Sequence, residues 1–137
     1  MKKIIIFNLI IGCFFFSCTK EEGEGGSSSI QGTVYKLATY QNASTGTIDT
    51  LYYQVYTEKE VYIIYSSNED DMYDDSFDTH WNGEYKFEHL RQGYYTIFTY
   101  ADSTDANGIE YEYPVFRHID ITKNNKAYTL EDFVIIK

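Results

Sequence analysis

The sequence predicts an all-β domain, a seven-stranded antiparallel β-sandwich, from three observations. Side chains that favour a pleated, half-buried surface dominate it, with 15 Tyr and 9 Phe among abundant Ile, Val and Thr. Several stretches alternate apolar and polar residues with a period of two, which marks a strand with one buried and one wet face. Turn-forming residues separate these stretches at short intervals, and the chain holds a single proline. No stretch repeats apolar residues convincingly at helical spacing.

The first 17 residues stand outside this pattern. Met1-Lys2-Lys3 is a short positive start, residues 4–16 are almost purely apolar, and Ser17 is small. That order describes a secretory signal peptide over residues 1–17. A transmembrane anchor is the competing reading. It needs roughly 20 apolar residues, whereas this run has 13 and is interrupted by Asn8. Cleavage would remove Lys2 and Lys3 and leave 9 basic against 21 acidic residues, a net charge near −12. Such a domain repels phosphate backbones, so nucleic acid is not expected as a partner. Cys13 lies inside the signal, and Cys18 becomes the only thiol of the mature chain. One cysteine cannot form an internal disulfide, and acylation at a new N-terminus would remove a free thiol.

Residues 18–29 read as a lipidated cysteine and a flexible tether. The segment 21–29 (EEGEGGSSS) is acidic, rich in Gly and Ser, and contains no apolar side chain. The sandwich domain is then assigned to residues 30–137. Its predicted strands cover 29–38, 49–57, 60–66, 83–88, 93–101, 109–120 and 127–136. Leu51, Tyr53 and Val55 share one face of the second strand. Tyr85 and Phe87 oppose Glu84, Lys86 and Glu88 in the fourth. Ile109, Tyr111, Tyr113 and Val115 alternate with acidic residues and Pro114 in the sixth. Pro114 cannot donate to a ladder, which places that strand at a sheet edge or a bulge. Asn82-Gly83 and Asn107-Gly108 are tight-turn pairs that tolerate positive φ.

Two resemblances sharpen these readings. Phe15-Phe16-Ser17-Cys18 resembles the bacterial lipobox, in which the signal is cut before a cysteine that is then acylated. Phe16 departs from the usual smaller residue. Thr19-Lys20-Glu21-Glu22 resembles the Lys-acid-acid signal that sends some Gram-negative lipoproteins to the cell surface, although an ordinary charged spacer has the same look. Together they imply an outer-membrane lipoprotein held by its acyl chains; a single chain binds marginally and two or more hold stably.

Within the domain, residues 80–97 (HWNGEYKFEHLRQGYYTI) carry Asn82-Gly83, Tyr85, Phe87, Leu90, Gly93, Tyr95 and Ile97. This pattern, with Ile30-x-Gly32-x-Val34 before it, resembles carboxypeptidase-regulatory-like domains. The resemblance implies a transthyretin-like, immunoglobulin-like sandwich. Gly83 and Gly93 suit turn geometries closed to other residues. Tyr95 is expected to bury its ring and return its hydroxyl to nearby backbone, as in a tyrosine corner. His80 stands where the family commonly has Asp, and the acidic loop before it is longer than usual. Fold alone assigns no function.

Candidate sites are few. Glu69, Asp70, Asp71, Asp74, Asp75 and Asp78 crowd one loop. Asp70, Asp71, Asp74, Asp75 and Asp78 could offer oxygens to Ca²⁺, which takes about 6–8 ligands. The spacing does not fit an EF-hand, and a solvated acidic loop explains the same residues. No other cofactor is expected. Exposed aromatics form a second candidate, Trp81 and Tyr73 above all, with Tyr94, Phe98 and Tyr100 on one strand face. Such rings stack on sugars or make protein interfaces, or simply fill half-buried sheet faces. His80, His89 and His118 are scattered without zinc-site spacing. No nucleophile elbow is present, and the ending Val134-Ile135-Ile136-Lys137 lacks the Tyr-Arg-Gly-Ser of transthyretin-like hydrolases. The expectation is a non-enzymatic, surface-exposed outer-membrane lipoprotein making protein–protein contacts. Carbohydrate binding through aromatics near Trp81 is the alternative.

Overall fold

The computed structural model describes residues 21–136. The signal, Cys18 and the Lys20 portion of the surface motif lie outside the described residues, as does Lys137. The described chain is all-β and forms two sheets from nine strands: β1 (Glu24–Gln41), β2 (Ile48–Val55), β3 (Glu60–Ile64), β4 (Asp75–Asp78), β5 (Glu84–Leu90), β6 (Gly93–Thr104), β7 (Glu110–Ile121), β8 (Ala127–Thr129) and β9 (Phe133–Ile136). The second sheet has the order β4-β3-β6-β7 and is antiparallel throughout.

Strand β1 is the spine of the first sheet. Its first half pairs antiparallel with β5 and parallel with β8. Its second half pairs antiparallel with β2 and parallel with β9. Glu24 and Ser28 both pair with Leu90, so the register shifts there, and the run from Ser28 to Gln41 extends about 45 Å at the usual rise per residue. Between the sheets lie Ile30, Val34, Val61, Ile63, Tyr85, Phe87, Tyr95, Ile97, Phe133 and Ile135. Apolar alternation selects these inward faces. Tyr85 and Phe87 are 1% and 4% exposed, while Glu84, Lys86 and Glu88 between and beside them face water, as predicted.

Four sequence expectations are revised. The segment 127–136, expected as one strand, divides at Leu130–Asp132 into β8 and β9. The short strand β4 lies in the acidic stretch, where no strand was expected. These two changes raise the count from seven to nine. The parallel pairing of β8 and β9 with β1 departs from the fully antiparallel prediction.

The third revision concerns the tether. The strand begins at Glu24, inside the segment read as flexible. Three glycines and three serines hide the reason, because the segment is held by close approach and hydroxyl bonds rather than by apolar burial. At Gly26 a Cβ would meet the Leu90 carbonyl oxygen at 2.0 Å. Ser28 is 1% exposed and its hydroxyl donates to Lys123 O at 2.8 Å. The Asn125 N–H donates to Ser27 Oγ at 3.1 Å.

The fourth revision concerns faces. Leu51, Tyr53, Ile109, Tyr111 and Tyr113 alternate as expected but are 64%, 53%, 62%, 49% and 41% exposed. These residues lie on the outer parts of the hairpins β1–β2 and β6–β7. The strands beside β6 and β7 in their sheet, β3 and β4, have only five and four residues against their twelve.

Several local predictions hold. Pro114 lies on β7, which is an edge strand. Gly83 has φ +76° at the β4–β5 turn. Tyr95 is fully buried; its hydroxyl donates to Arg91 O at 2.9 Å and accepts the Gly23 N–H at 2.8 Å.

Candidate functional site

The acidic loop between β3 and β4 folds onto the outer face of the second sheet. Asp74 Oδ2 accepts the Tyr65 N–H at 2.6 Å, and its own N–H donates to Ile63 O. Asp71 accepts both the Ser66 hydroxyl and the Asn68 amide, at 2.6 and 2.7 Å. Asp75 Oδ1 accepts the Ser76 N–H. Asp78 ends β4, and Asp70 is exposed. Three of the five carboxylates expected for calcium, Asp71, Asp74 and Asp75, therefore hold the loop's own turns. No group of three or more His, Cys, Asp or Glu able to hold a metal ion occurs among the described residues.

The sixth carboxylate of the loop behaves differently. Glu69 reaches across to His118 Nε2 on β7 at 2.8 Å. His118 Nδ1 lies 3.1 Å from Thr96 Oγ1, which donates its proton to Ser66 O at 2.8 Å. Thr96 Oγ1 must then accept from Nδ1–H, since a hydroxyl has one proton. Sequence reasoning left His118 unassigned, since its partners lie 22 and 49 positions away.

Tyr73 packs on Tyr62 with centroids 4.8 Å apart, and Tyr62 stacks on Phe98 at 4.9 Å. Tyr100 meets both edge-on, and Phe116 lies 5.4 Å from Phe98. The register Tyr62↔Phe98↔Phe116 lines these rings across β3, β6 and β7. They spend their faces on one another, and Phe98 is only 7% exposed. Tyr62 donates to Glu60 at 2.6 Å. That bond, with burial behind it, holds the phenol protonated well above the usual tyrosine range. The row is a small second core under the acidic loop. For Phe98 and Tyr100, and for their neighbour Tyr62, the reading as sheet-face filler is the better one, whereas Tyr94 on β6 is 55% exposed.

Two regions remain open. One is the end where the long hairpins protrude. Ile48 (75%), Leu51, Tyr53, Ile109, Tyr111, Tyr113 and Ile136 (54%) are exposed there. A depression of about 800 Å³ opens between the β6–β7 hairpin and Ile136, lined by Asp102, Ser103, Glu110, Tyr111 and Glu112 among others. Neither hairpin carries a Lys or Arg between residues 37 and 58 or between 92 and 116, while Asp49, Asp102, Asp105, Glu110 and Glu112 all fall there. This end lies opposite the point of chain entry, since Gly23 is bound to Tyr95 near the start of β6. A legible signal existed in the sequence: the two halves of the 93–120 hairpin are much longer than 60–66.

The other open region is the β4–β5 turn. Trp81 is 85% exposed there and makes no ring contact with the described residues. Trp81 and Tyr73, paired in the sequence reading, flank opposite ends of β4.

No family model matches the chain, and no curated protein matches it. One similar solved structure is a crystal structure from Pseudomonas aeruginosa, described as a "putative carbohydrate binding protein". It shares 14% identity at a TM-score of 0.43, over 84% of this chain and 91% of that one. A likeness this distant carries no argument about what the present chain binds.

Proposed function

We propose that this chain is a lipid-anchored binding module of a Gram-negative outer membrane. On this reading Cys18 is its acylated N-terminus, and the protruding hairpins contact another protein at the cell surface. One observation carries the proposal: large apolar side chains on both hairpins stand exposed at the end opposite chain entry. Exposed apolar patches rimmed by polar groups mark interaction sites in soluble domains, and tyrosine is enriched at such interfaces. The absence of basic residues from stretches 37–58 and 92–116 of the two hairpins fits a partner with Lys or Arg around an apolar centre. A β1 whose regular run spans about 45 Å would lift this surface clear of the lipid. The reading is of a binding protein rather than an enzyme, and it keeps the resemblance of residues 80–97 to carboxypeptidase-regulatory-like domains as its suggested kinship.

Site-specific photo-cross-linking in living cells tests it. A photoreactive residue at Tyr111 or Tyr53 should give the same discrete adduct, and one at Glu88, on the flank of the first sheet, should not. Equal patterns from all three positions, or none from the hairpins, would contradict it.

A further inference from the structure

We propose that the Trp81 turn and the polar depression beside it form a binding subsite for a neutral sugar ring. This does not rest on the hairpin surface, since it lies on the β4–β5 turn and the outer face of the first sheet.

The turn is firmly built. The Gly83 N–H donates to His80 O and the His80 N–H to Glu84 O, both at 2.9 Å. The Glu84 N–H donates to Asn82 Oδ1 at 3.2 Å. The His80 ring meets Phe77 edge-on at 5.0 Å. A well-held turn thus presents an indole that is 85% exposed. A large, rigid ring of this kind offers apolar area at little conformational cost.

Beside the turn lies a depression of about 360 Å³, lined by Gln31, Thr33, His80, Glu84, Lys86 and Thr129, with Gly32 and Tyr85 completing it. That size sits at the small end of ligand sites, roughly 300–1,000 Å³. Its polar side chains come from three adjacent strands in register: Thr129, Gln31 and Lys86 in one row, Thr33 and Glu84 in the next. Gln31 Nε2 already donates to Thr129 Oγ1 at 3.3 Å, so the row is ordered.

The chemistry selects the ligand class. Amide, hydroxyl, imidazole, carboxylate and ammonium groups supply both donors and acceptors, which suits hydroxyls that do both. Lys86 is paired with Glu88 and faces Glu84 in the depression, so no net positive charge is offered to an anion. A net charge of −10 for the whole chain further disfavours acidic polymers. Trp81 does not itself line the depression, which His80 and Glu84 of the same turn border; a neutral pyranose suits the pair, its C–H face on the exposed indole and its hydroxyls toward the sheet.

Trp81 is the only tryptophan of the chain, so its emission reports this site alone. The chain, in a detergent without sugar headgroups, would be titrated with neutral gluco-, manno-, galacto- and N-acetylglucosamine oligosaccharides, and with oligogalacturonate as an acidic comparator. At least one neutral oligosaccharide should give a saturable emission change. Its affinity should fall tenfold or more in Gln31→Ala and in Thr129→Ala and stay unchanged in Glu112→Gln, on β7 of the other sheet; the comparator should give no such change. The melting temperature of each variant reports folding. The proposal is overturned if no neutral oligosaccharide gives a saturable change with folded protein, if the change survives both alanine variants, or if the acidic comparator binds equally well.

Discussion

Two buried tyrosines should respond in opposite ways to the same substitution. Tyr95 and Tyr85 are 0% and 1% exposed, so removing either hydroxyl leaves the burial of the ring unchanged. Tyr95 joins Arg91 O at 2.9 Å to the Gly23 N–H at 2.8 Å, tying the start of the first sheet to the β5–β6 turn. Tyr95→Phe leaves a donor and an acceptor without partners, at a cost of about 1–3 kcal/mol. At roughly 2.1 cal/mol/K of unfolding entropy per residue, each kcal/mol is worth about 4 °C in a domain of this size. The expected fall in Tm is thus about 4–12 °C. The Tyr85 hydroxyl is buried with no hydrogen-bond partner among the described residues, and that burial raises its ionisation well above the usual tyrosine range. Tyr85→Phe removes an unsatisfied group and should leave stability within about 0.5 kcal/mol or raise it. Calorimetry of the two variants decides the matter. Hydrogen exchange should add that the Glu24–Ser28 amides lose protection in Tyr95→Phe alone. Equal losses in both variants, or unchanged protection of those amides, would refute the reasoning.

Three further outcomes follow from local geometry. His118→Ala cuts the tie from Glu69 to Thr96; with both ion-pair partners about half exposed, the cost should stay below about 1 kcal/mol, while exchange rises at the loop amides 68–71 and not in β6. Burial first, and then the carboxylates of Glu24, Asp75 and Asp74, push Tyr65 from 10.0 up to about 12. Its folded form therefore holds the proton longer than the unfolded chain, so its share of stability is complete below pH 10 and lost between about 10 and 12. Denaturant midpoints across that range should fall, and should fall less in Tyr65→Phe. Asp105 accepts the N–H groups of Ile109 and Asn107 at 2.8 and 2.9 Å, which lowers its carboxyl below 3.8. Its contribution is present above that value and is lost as pH falls through the lowered one. The β6–β7 tip amides should then lose protection relative to their intrinsic exchange rate in acid, and already at neutral pH in Asp105→Ala.

The fold class was legible because apolar alternation and turn pairs are local signals. Tyr85 and Phe87 face the core, Pro114 sits on an edge, and Tyr95 closes its corner, each for a reason visible within a few residues. What stayed hidden depends on distant partners. Ser27 and Ser28 look like tether until the turn near residue 125 supplies their bonds. Tyr111 and Tyr113 look inward-facing until the neighbouring strands of their own sheet, β3 and β4, prove far shorter than β7 and leave that end uncovered. The Trp81 turn was readable from Asn82-Gly83, but the polar row of Gln31, Lys86 and Thr129 needed the pairing of three strands distant in sequence.

The proposed anchor at Cys18 would set which end of the domain faces outward. The most direct test is the intact mass of the protein recovered from membranes. The account predicts a chain that starts at Cys18 and carries acyl groups on it. A chain that retains its first 17 residues, or one cut at Cys18 without acyl groups, would contradict it.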